Sequence, residues 1–488
     1  MTLTHKIAKH TTVQIVGRFI GFMLSLISIV FLTRYLGTDG FGKYITIVVF
    51  VNMVAVFAGF GLDQILIKEY FKTKRKKYLI ANTLALRAIG SLLIFIIGAI
   101  IGHFLPYAPI IKIGIWVYSL SSFLVAVELI FLDIFQINLR MHHQVIAETV
   151  NRIITLLLII ASIYLNLGLA FILLSTATGS AIQILIAYFW VNKIVTIKLR
   201  FNFKMWRNLL IKAIPLGISA VLIFIYYKVD TIILSLMKPS ADVGIYGAAY
   251  KVLDIVSTFP GMFCGLLLPV FANVFTKNKM PHFNKLIQKG FDVLAITGIP
   301  ITIILFSLAR PIILLVAGNQ FTSSVLALQI LAPSAALIYL NWIFWIALVG
   351  GDKQNNLILP YLLITIFNVI LNLILIPRYS YLGAASTTIA TQLIALFIPW
   401  WLTKKFFKTS LSLVIPAKAI VAGVVMFFVF YLIQKFNLFI NWQGMENINT
   451  FYRLIALTII VLFGSAIYLG VLGITGALKK SMIKKVMG

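Results

Sequence analysis

Acidic side chains are scarce in this chain. Twelve Asp and Glu stand against 41 Lys and Arg among 488 residues, and charged residues of all kinds make up only 11%. A soluble globular protein carries about a quarter charged residues, so this composition excludes one. Cysteine is rarer still: Cys264 is the only one, which leaves no internal disulfide and no Cys-based metal site. The six histidines show no metal-protease spacing. No GxxxxGK[ST] loop is present, and no polar stretch is long enough to fold into a nucleotide-binding domain. That argues against an ATP-driven pump. Neither a metal nor an organic cofactor is expected.

What fills the chain is apolar. It is 61% hydrophobic, in runs of about twenty residues that can cross a bilayer as helices. Runs of that length exclude an outer-membrane barrel, whose strands need only ~10 alternating residues. The expected class is an all-α polytopic membrane protein. Fourteen spans are read, at about 13–34, 44–66, 79–102, 111–132, 146–165, 169–191, 213–236, 243–271, 286–307, 321–348, 355–376, 382–402, 414–434 and 454–475. Thr11, Thr12 and Gln14 surround the start of the first, and no small-residue cleavage site follows. It is read as a retained span, not a cleaved signal peptide.

Lys and Arg crowd into alternate connections. One set holds Lys68, Lys72, Lys74, Arg75, Lys76 and Lys77, then Lys193, Lys198, Arg200, Lys204, Arg207 and Lys212, then Lys277 to Lys289 and the tail from Lys479. The other set holds mostly single cations, such as Lys112, Lys238 and Arg310. The positive-inside rule then puts both termini in the cytoplasm. The net charge of +29 follows largely from topology and from attraction to an anionic inner leaflet. Nucleic acid is not an expected partner, and the run Lys68–Lys77 reads as a stop signal.

The stretch Lys228–Asp254 breaks the apolar rule. An apolar helix ends at Lys238-Pro239-Ser240 and another begins at once, with Lys228, Asp230, Lys251 and Asp254 inside the pair. Lys228 and Lys251 lie ~15–17 Å from the turn at ~1.5 Å per residue, near the middle of a ~30 Å hydrocarbon layer. Intramembrane charge is expensive and marks function by default. Arg18, Arg87 and Arg152 lie nearer the inner ends of their spans, where snorkelling to headgroups is a competing account. The embedded acids are Glu128, Glu148, Asp230 and Asp254, with Asp63, Asp133 and Asp292 near inner helix ends. Spacing allows Lys251 to pair with Asp254, and Glu148 with Arg152.

An internal repeat is visible. In RYLGTDGFGKY (34–44), Asp39, Gly42 and Tyr44 align with Asp242, Gly244 and Tyr246 of SADVGIYGAAY (240–250), allowing a one-residue gap. Tyr164–Ala170 and Tyr379–Ala385 share Tyr, Leu, Gly and Ala at fixed spacing. Helices one to six and seven to twelve therefore read as parallel copies, an arrangement in which transporters place substrate between the halves. The expected segments are a first lobe (1–192), a cytoplasmic linker (193–212) with an amphipathic piece around Phe201, Phe203 and Trp206, a second lobe (213–403), and two further helices with a basic tail (404–488).

The turn at 34–44, the segment AIPLGISAVLIFIYYKVDTIILS (213–235), VGIYGAAYKVLD (243–254) and FQINLRMHHQVI (135–146) resemble the Wzx-type flippases of lipid-linked polysaccharide repeat units. These are a branch of the multidrug/oligosaccharidyl-lipid/polysaccharide exporter superfamily. The resemblance implies fourteen helices in two pseudo-symmetric six-helix lobes of MATE-like fold plus two C-terminal helices lining a groove for a lipid tail. It also implies a cationic central cavity and an undecaprenyl-diphosphate-linked oligosaccharide moved across a bacterial plasma membrane.

Such a substrate needs buried cations for its phosphates, because a diphosphate cannot cross hydrocarbon bare. Arg18, Arg87, Arg152, Lys228 and Lys251 are the candidates: Arg for forked contacts, Lys as mobile point charges. Asp230, Asp254, Glu128 and Glu148 are candidates for coupling to H⁺ or Na⁺, each acid being released when phosphate takes its cation. Tyr226, Tyr227, Tyr246, Tyr250, Tyr339, Trp342 and Trp345 suit sugar stacking or simple packing, and Asn341, Asn368 and Asn372 suit sugars or neighbouring helices. Membrane lipids and polysaccharide polymerase or chain-length proteins are the partners such a carrier would meet. Two other readings share the composition. Twelve spans and an acid-dominated cavity would favour a multidrug/cation antiporter, whereas fourteen spans and buried Lys and Arg favour an anionic lipid; a membrane-embedded polymerase or ligase would need a sizeable outside loop with catalytic polar residues, which the sequence lacks.

Overall fold

Apolar segments without water must close their backbone hydrogen bonds internally, which leaves helices as the spanning form here. The computed structural model describes residues 3–138, 140–195, 199–438 and 449–477. Side chains before Gly17, and those of Arg18, Phe19, Phe22, Leu216 and Ser219, fall outside that description. The described chain forms α1 (Leu3–Gly59), α2 (Leu62–Lys72), α3 (Lys76–Phe104), α4 (Pro109–Ile137), α5 (Met141–Tyr164), α6 (Leu169–Asn192) and α7 (Phe203–Met237). It continues through α8 (Ser240–Val256), α9 (Thr258–Thr276), α10 (Met280–Ser307), α11 (Ala309–Val316), α12 (Ser324–Gly350), α13 (Ile358–Phe407), α14 (Val414–Lys435) and α15 (Thr450–Ile474). Among the described residues, twelve candidate spans are long and apolar enough to cross a membrane. The chain is a multi-pass membrane protein.

Two of the long helices fold back on themselves. In α13 the turn is at Ser380, with φ 49°. Asn368 Nδ2 donates to Thr391 Oγ1 over 3.1 Å although 23 residues separate them, a separation of ~35 Å in a straight helix. Asn372, one turn further along the same arm, donates to both the carbonyl and Oδ1 of Asn368 at 2.9 Å. In α1 the break is at Gly37, whose φ of 62° suits a residue without Cβ. Before it, Gly21 lies beside Arg152 on α5, and Tyr35 accepts a hydrogen bond from the Gly168 N–H at the α5–α6 turn. After it, Phe50 packs on Tyr107 at the α3–α4 turn, and Gly59 reaches Arg87 on α3. The second half therefore runs opposite to the first.

Proline placement explains a second set of contacts. Pro260 has no N–H to give to the carbonyl four residues back, and the chain breaks there into α8 and α9. The span expected at 243–271 is therefore two helices. The orphaned Val256 carbonyl accepts instead from the Tyr339 hydroxyl at 2.8 Å. Pro300 frees the Ile296 carbonyl, which accepts from Tyr468 at 3.0 Å. Pro311 frees the Ser307 carbonyl, which accepts from Gln434 Nε2 at 2.7 Å. In a medium without water each of these donors replaces a bond the helix cannot make.

The chain divides into two compact units, residues 1–244 and 245–488. In the first, Leu66, Leu79, Ile130, Phe135, Val191 and Leu209 form one core. Trp206 belongs to that core too. The piece expected to lie on the membrane surface includes the start of α7, capped by Asn202 accepting from the Met205 N–H, and Phe201 and Phe203 are exposed. In the second unit, Leu308, Met426, Phe430, Ile460 and Tyr468 bind α14 and α15 to the end of α10.

Candidate functional site

Three polar constellations lie among the apolar helices of the first unit. The deepest surrounds Arg87 on α3, which is 1% exposed. Its Nη1 is ion-paired with Asp63, at the start of α2 just past the break at Phe60–Gly61. Its Nε and Nη2 are buried with no hydrogen-bond partner. Asp133 on α4, also buried, lies within electrostatic range of the guanidinium. Arg87 and Ser91 also line an apolar cavity of about 510 Å³ walled by α1 and α3.

The second constellation is built on α5. Arg152 Nη2 donates to Glu148 Oε1 at 2.7 Å, one helical turn away, as their spacing predicts. Its Nη1 donates to the Gly21 carbonyl at 3.2 Å and to Ser25 Oγ. Both members of the ion pair are about one-third exposed. This guanidinium is held across two helices yet remains within reach of a ligand.

The third is a relay through α4, α6 and α5. Glu128, buried in α4, accepts from Gln183 Nε2 at 2.7 Å. Gln183 in turn accepts from Asn151 Nδ2, and Asn151 Oδ1 accepts from Thr155 at 2.9 Å. Glu128 is thus anchored at one end of a chain of amides and hydroxyls.

On α7, Lys228 is half-buried. Asp230 is buried and accepts from the Thr231 N–H at 2.6 Å and its hydroxyl at 3.2 Å. Lys251 and Asp254 lie on α8 in the second unit, both half-buried. Lys228 stands nine residues before the end of α7, and Lys251 eleven residues after the start of α8. The side chain of Arg18 lies outside the described residues. Of the polar residues in the second unit, Asn368 bonds across the α13 hairpin and Asn372 to Asn368, Tyr339 to the Val256 carbonyl, and Tyr246 to Thr388 at 3.1 Å. Trp342 and Trp345 pack edge to face at 5.4 Å.

Sequence reasoning missed the partners rather than the charges. Asp63 and Arg87 are 24 residues apart, and Gln183 and Asn151 carry no pattern. The only available signal was that a buried ion must have a partner.

The profile of the family described as polysaccharide biosynthesis protein matches residues 7–275, more than half of the chain. The chain belongs to that family. The match covers the Pro-Leu-Gly and Gly-x-Tyr segments that carried the resemblance. Among its relatives, the capsular polysaccharide biosynthesis protein CapF of Staphylococcus aureus is 26% identical over 246 residues. That alignment covers 50% of this chain and 61% of CapF, so it spans less than two thirds of that relative. The "Probable low-salt glycan biosynthesis flippase Agl15" of Haloferax volcanii is 21% identical over 436 residues, covering 86% of this chain and 89% of that one. Among solved structures, the lipid II flippase MurJ in an inward closed conformation aligns with a TM-score of 0.75 at 18% identity. It covers 94% of this chain and 97% of that chain, a likeness that speaks for the fold.

Proposed function

We propose that this member of the family is a flippase. It carries an undecaprenyl-diphosphate-linked oligosaccharide repeat unit from the inner to the outer leaflet of a bacterial plasma membrane, by alternating access, for cell-surface polysaccharide assembly. It makes and breaks no covalent bond. The observation that carries this reading is the set of Arg and Lys side chains inside apolar helices of a polysaccharide-family chain: Arg152, Lys228 and Lys251 half-buried, with Arg87 buried behind Asp63. An anionic headgroup is the cargo that such charges suit.

Twelve candidate spans, two of them folded back at Gly37 and Ser380, support a count of fourteen crossings. They follow the order of two six-helix repeats and two C-terminal helices, as in a MATE-like fold, and the basic connections put both termini in the cytoplasm. In this reading Arg18, Arg87 and Arg152 receive the diphosphate and Lys228 and Lys251 pass it on. Phosphate taking Arg152 would release Glu148 to bind H⁺ or Na⁺. Glu128, Asp230 and Asp254 are the other coupling acids. The relatives named as a capsular polysaccharide protein, a glycan flippase and the lipid II flippase support a lipid-linked glycan as substrate.

Reconstitution into proteoliposomes with a fluorescent undecaprenyl-diphosphate oligosaccharide tests the reading. Protein-dependent exposure of the headgroup on the opposite leaflet supports it, and transport of organic cations in its place overturns it.

A further inference from the structure

Five cations from two separate segments converge on one cavity in the first unit. Its volume is about 650 Å³, within the range of ligand pockets, and Lys74, Arg75, Lys76, Lys77, Tyr78 and Arg200 line it. Among the described residues no carboxylate lies within 4.0 Å of any of the five cations. Glu69, the nearest acid along the chain, is shared by Lys212 at 3.0 Å and Lys72 at 3.8 Å.

The positive-inside rule accounts for these charges being on this side, but not for their placement. Arg200 lies 5.5 Å over the Tyr78 ring. The Tyr78 hydroxyl accepts from Asn202 Nδ2 at 2.7 Å, and Asn202 Oδ1 caps α7 through the Met205 N–H at 3.0 Å. Lys76 is held over Tyr70 at 4.7 Å. A topology signal needs no such positioning. The cavity also sits at the N-terminus of the 29-residue α3, which has no acidic residue in its first turn and no side-chain cap at Arg75. The first-turn N–H groups and the helix dipole add partial positive charge to the five full ones. Like charges gathered this way repel each other, and an anion relieves the repulsion.

We infer that this cavity binds the phosphates of a lipid headgroup at the inner-leaflet surface. It is the loading site at which the diphosphate of a lipid-linked substrate docks before it meets the cations inside the spans. The loading role rests on the proposed function; the phosphate site does not. A prenyl diphosphate and an anionic phospholipid share the recognised chemistry, and two arms of one experiment separate them.

Full-length protein in nanodiscs of uncharged lipid is titrated with geranylgeranyl diphosphate, and retention of phosphatidylglycerol from mixed nanodiscs is measured in parallel. Arg75→Gln/Arg200→Gln leaves Lys68, Lys72, Lys74, Lys76 and Lys77 to fix topology. It is expected to weaken diphosphate binding about tenfold, the factor equivalent to ~1.4 kcal/mol, and wild-type binding should fall as salt rises. Loss of phosphatidylglycerol retention with unchanged diphosphate affinity would overturn the loading role while supporting the phosphate site. Unchanged behaviour in both arms, in protein that elutes like wild type, would overturn the inference whole. If the double variant does not fold, Lys74→Gln/Lys77→Gln carries the same expectation. A protein that binds the diphosphate through these residues yet moves no lipid would refute the proposed function and leave the site standing.

Discussion

Gly42 and Gly244 face each other backbone to backbone. A Cβ on Gly42 would overlap the Ser240 carbonyl and lie 2.9 Å from the Gly244 nitrogen; one on Gly244 would overlap the Thr38 carbonyl and lie 3.0 Å from the Gly42 nitrogen. These two glycines occupy equivalent positions in the aligned turns, and Thr38 and Ser240 each stand four residues before their glycine. The exchange is reciprocal, as a two-fold relation between the turns requires.

Gly42→Ala and Gly244→Ala should therefore each destabilise the protein. Backbone cannot yield as a side-chain tip can, so the cost is at least the ~1–3 kcal/mol of ordinary overpacking. Thermal unfolding in detergent checks this, with Gly265→Ala and Gly470→Ala as controls because nothing lies within 4 Å of their added Cβ. Equal midpoints for all four variants would refute the close approach.

Tyr339→Phe should lower stability by ~1 kcal/mol, the scale of an intramembrane hydrogen bond, because it leaves the Val256 carbonyl without a donor. Pro260→Ala restores the helical N–H to that carbonyl. In the Pro260→Ala background the tyrosine hydroxyl becomes redundant and Tyr339→Phe should cost little. The double-mutant cycle reads the difference, and additive effects would count against the replacement.

How much of this was legible beforehand varies with the physics of each feature. The presence of many membrane-length apolar helices follows from run length, and the pairing of Glu148 with Arg152 follows from helical spacing, because both are local. The alignment of the turns at 34–44 and 240–250 could be read from residue identities, but the close approach of Gly42 and Gly244 could not. The helix break at Pro260 lies inside a span read as continuous, and the tyrosine that satisfies the freed carbonyl comes from 83 residues further on. The cations of 68–77 read as a topology signal, and sequence does not show that Arg200 lines one cavity with four of them. Of Asn368 and Asn372, open between sugar binding and neighbouring helices, Asn368 bonds across a hairpin that only the fold reveals, and Asn372 bonds to Asn368.

Asp63→Asn should strand the buried Arg87 guanidinium. Removing one partner of a buried pair costs ~3–5 kcal/mol, less here because Asp63 is 34% exposed. Asp63→Asn combined with Arg87→Met removes the stranded charge and should recover most of that loss. Thermal midpoints of the single and double variants decide it. A double variant no more stable than Asp63→Asn alone would show that the pair does not hold this corner of the first unit.

The central claim is that Lys228 and Lys251 handle the phosphates of a lipid-linked glycan in transit. Lys228→Ala and Lys251→Ala, purified at wild-type yield and thermal stability, are assayed for movement of a fluorescent undecaprenyl-diphosphate oligosaccharide in proteoliposomes. The account predicts that each loses nearly all transport while Lys228→Arg and Lys251→Arg retain a part of it. Full transport by both alanine variants would contradict it.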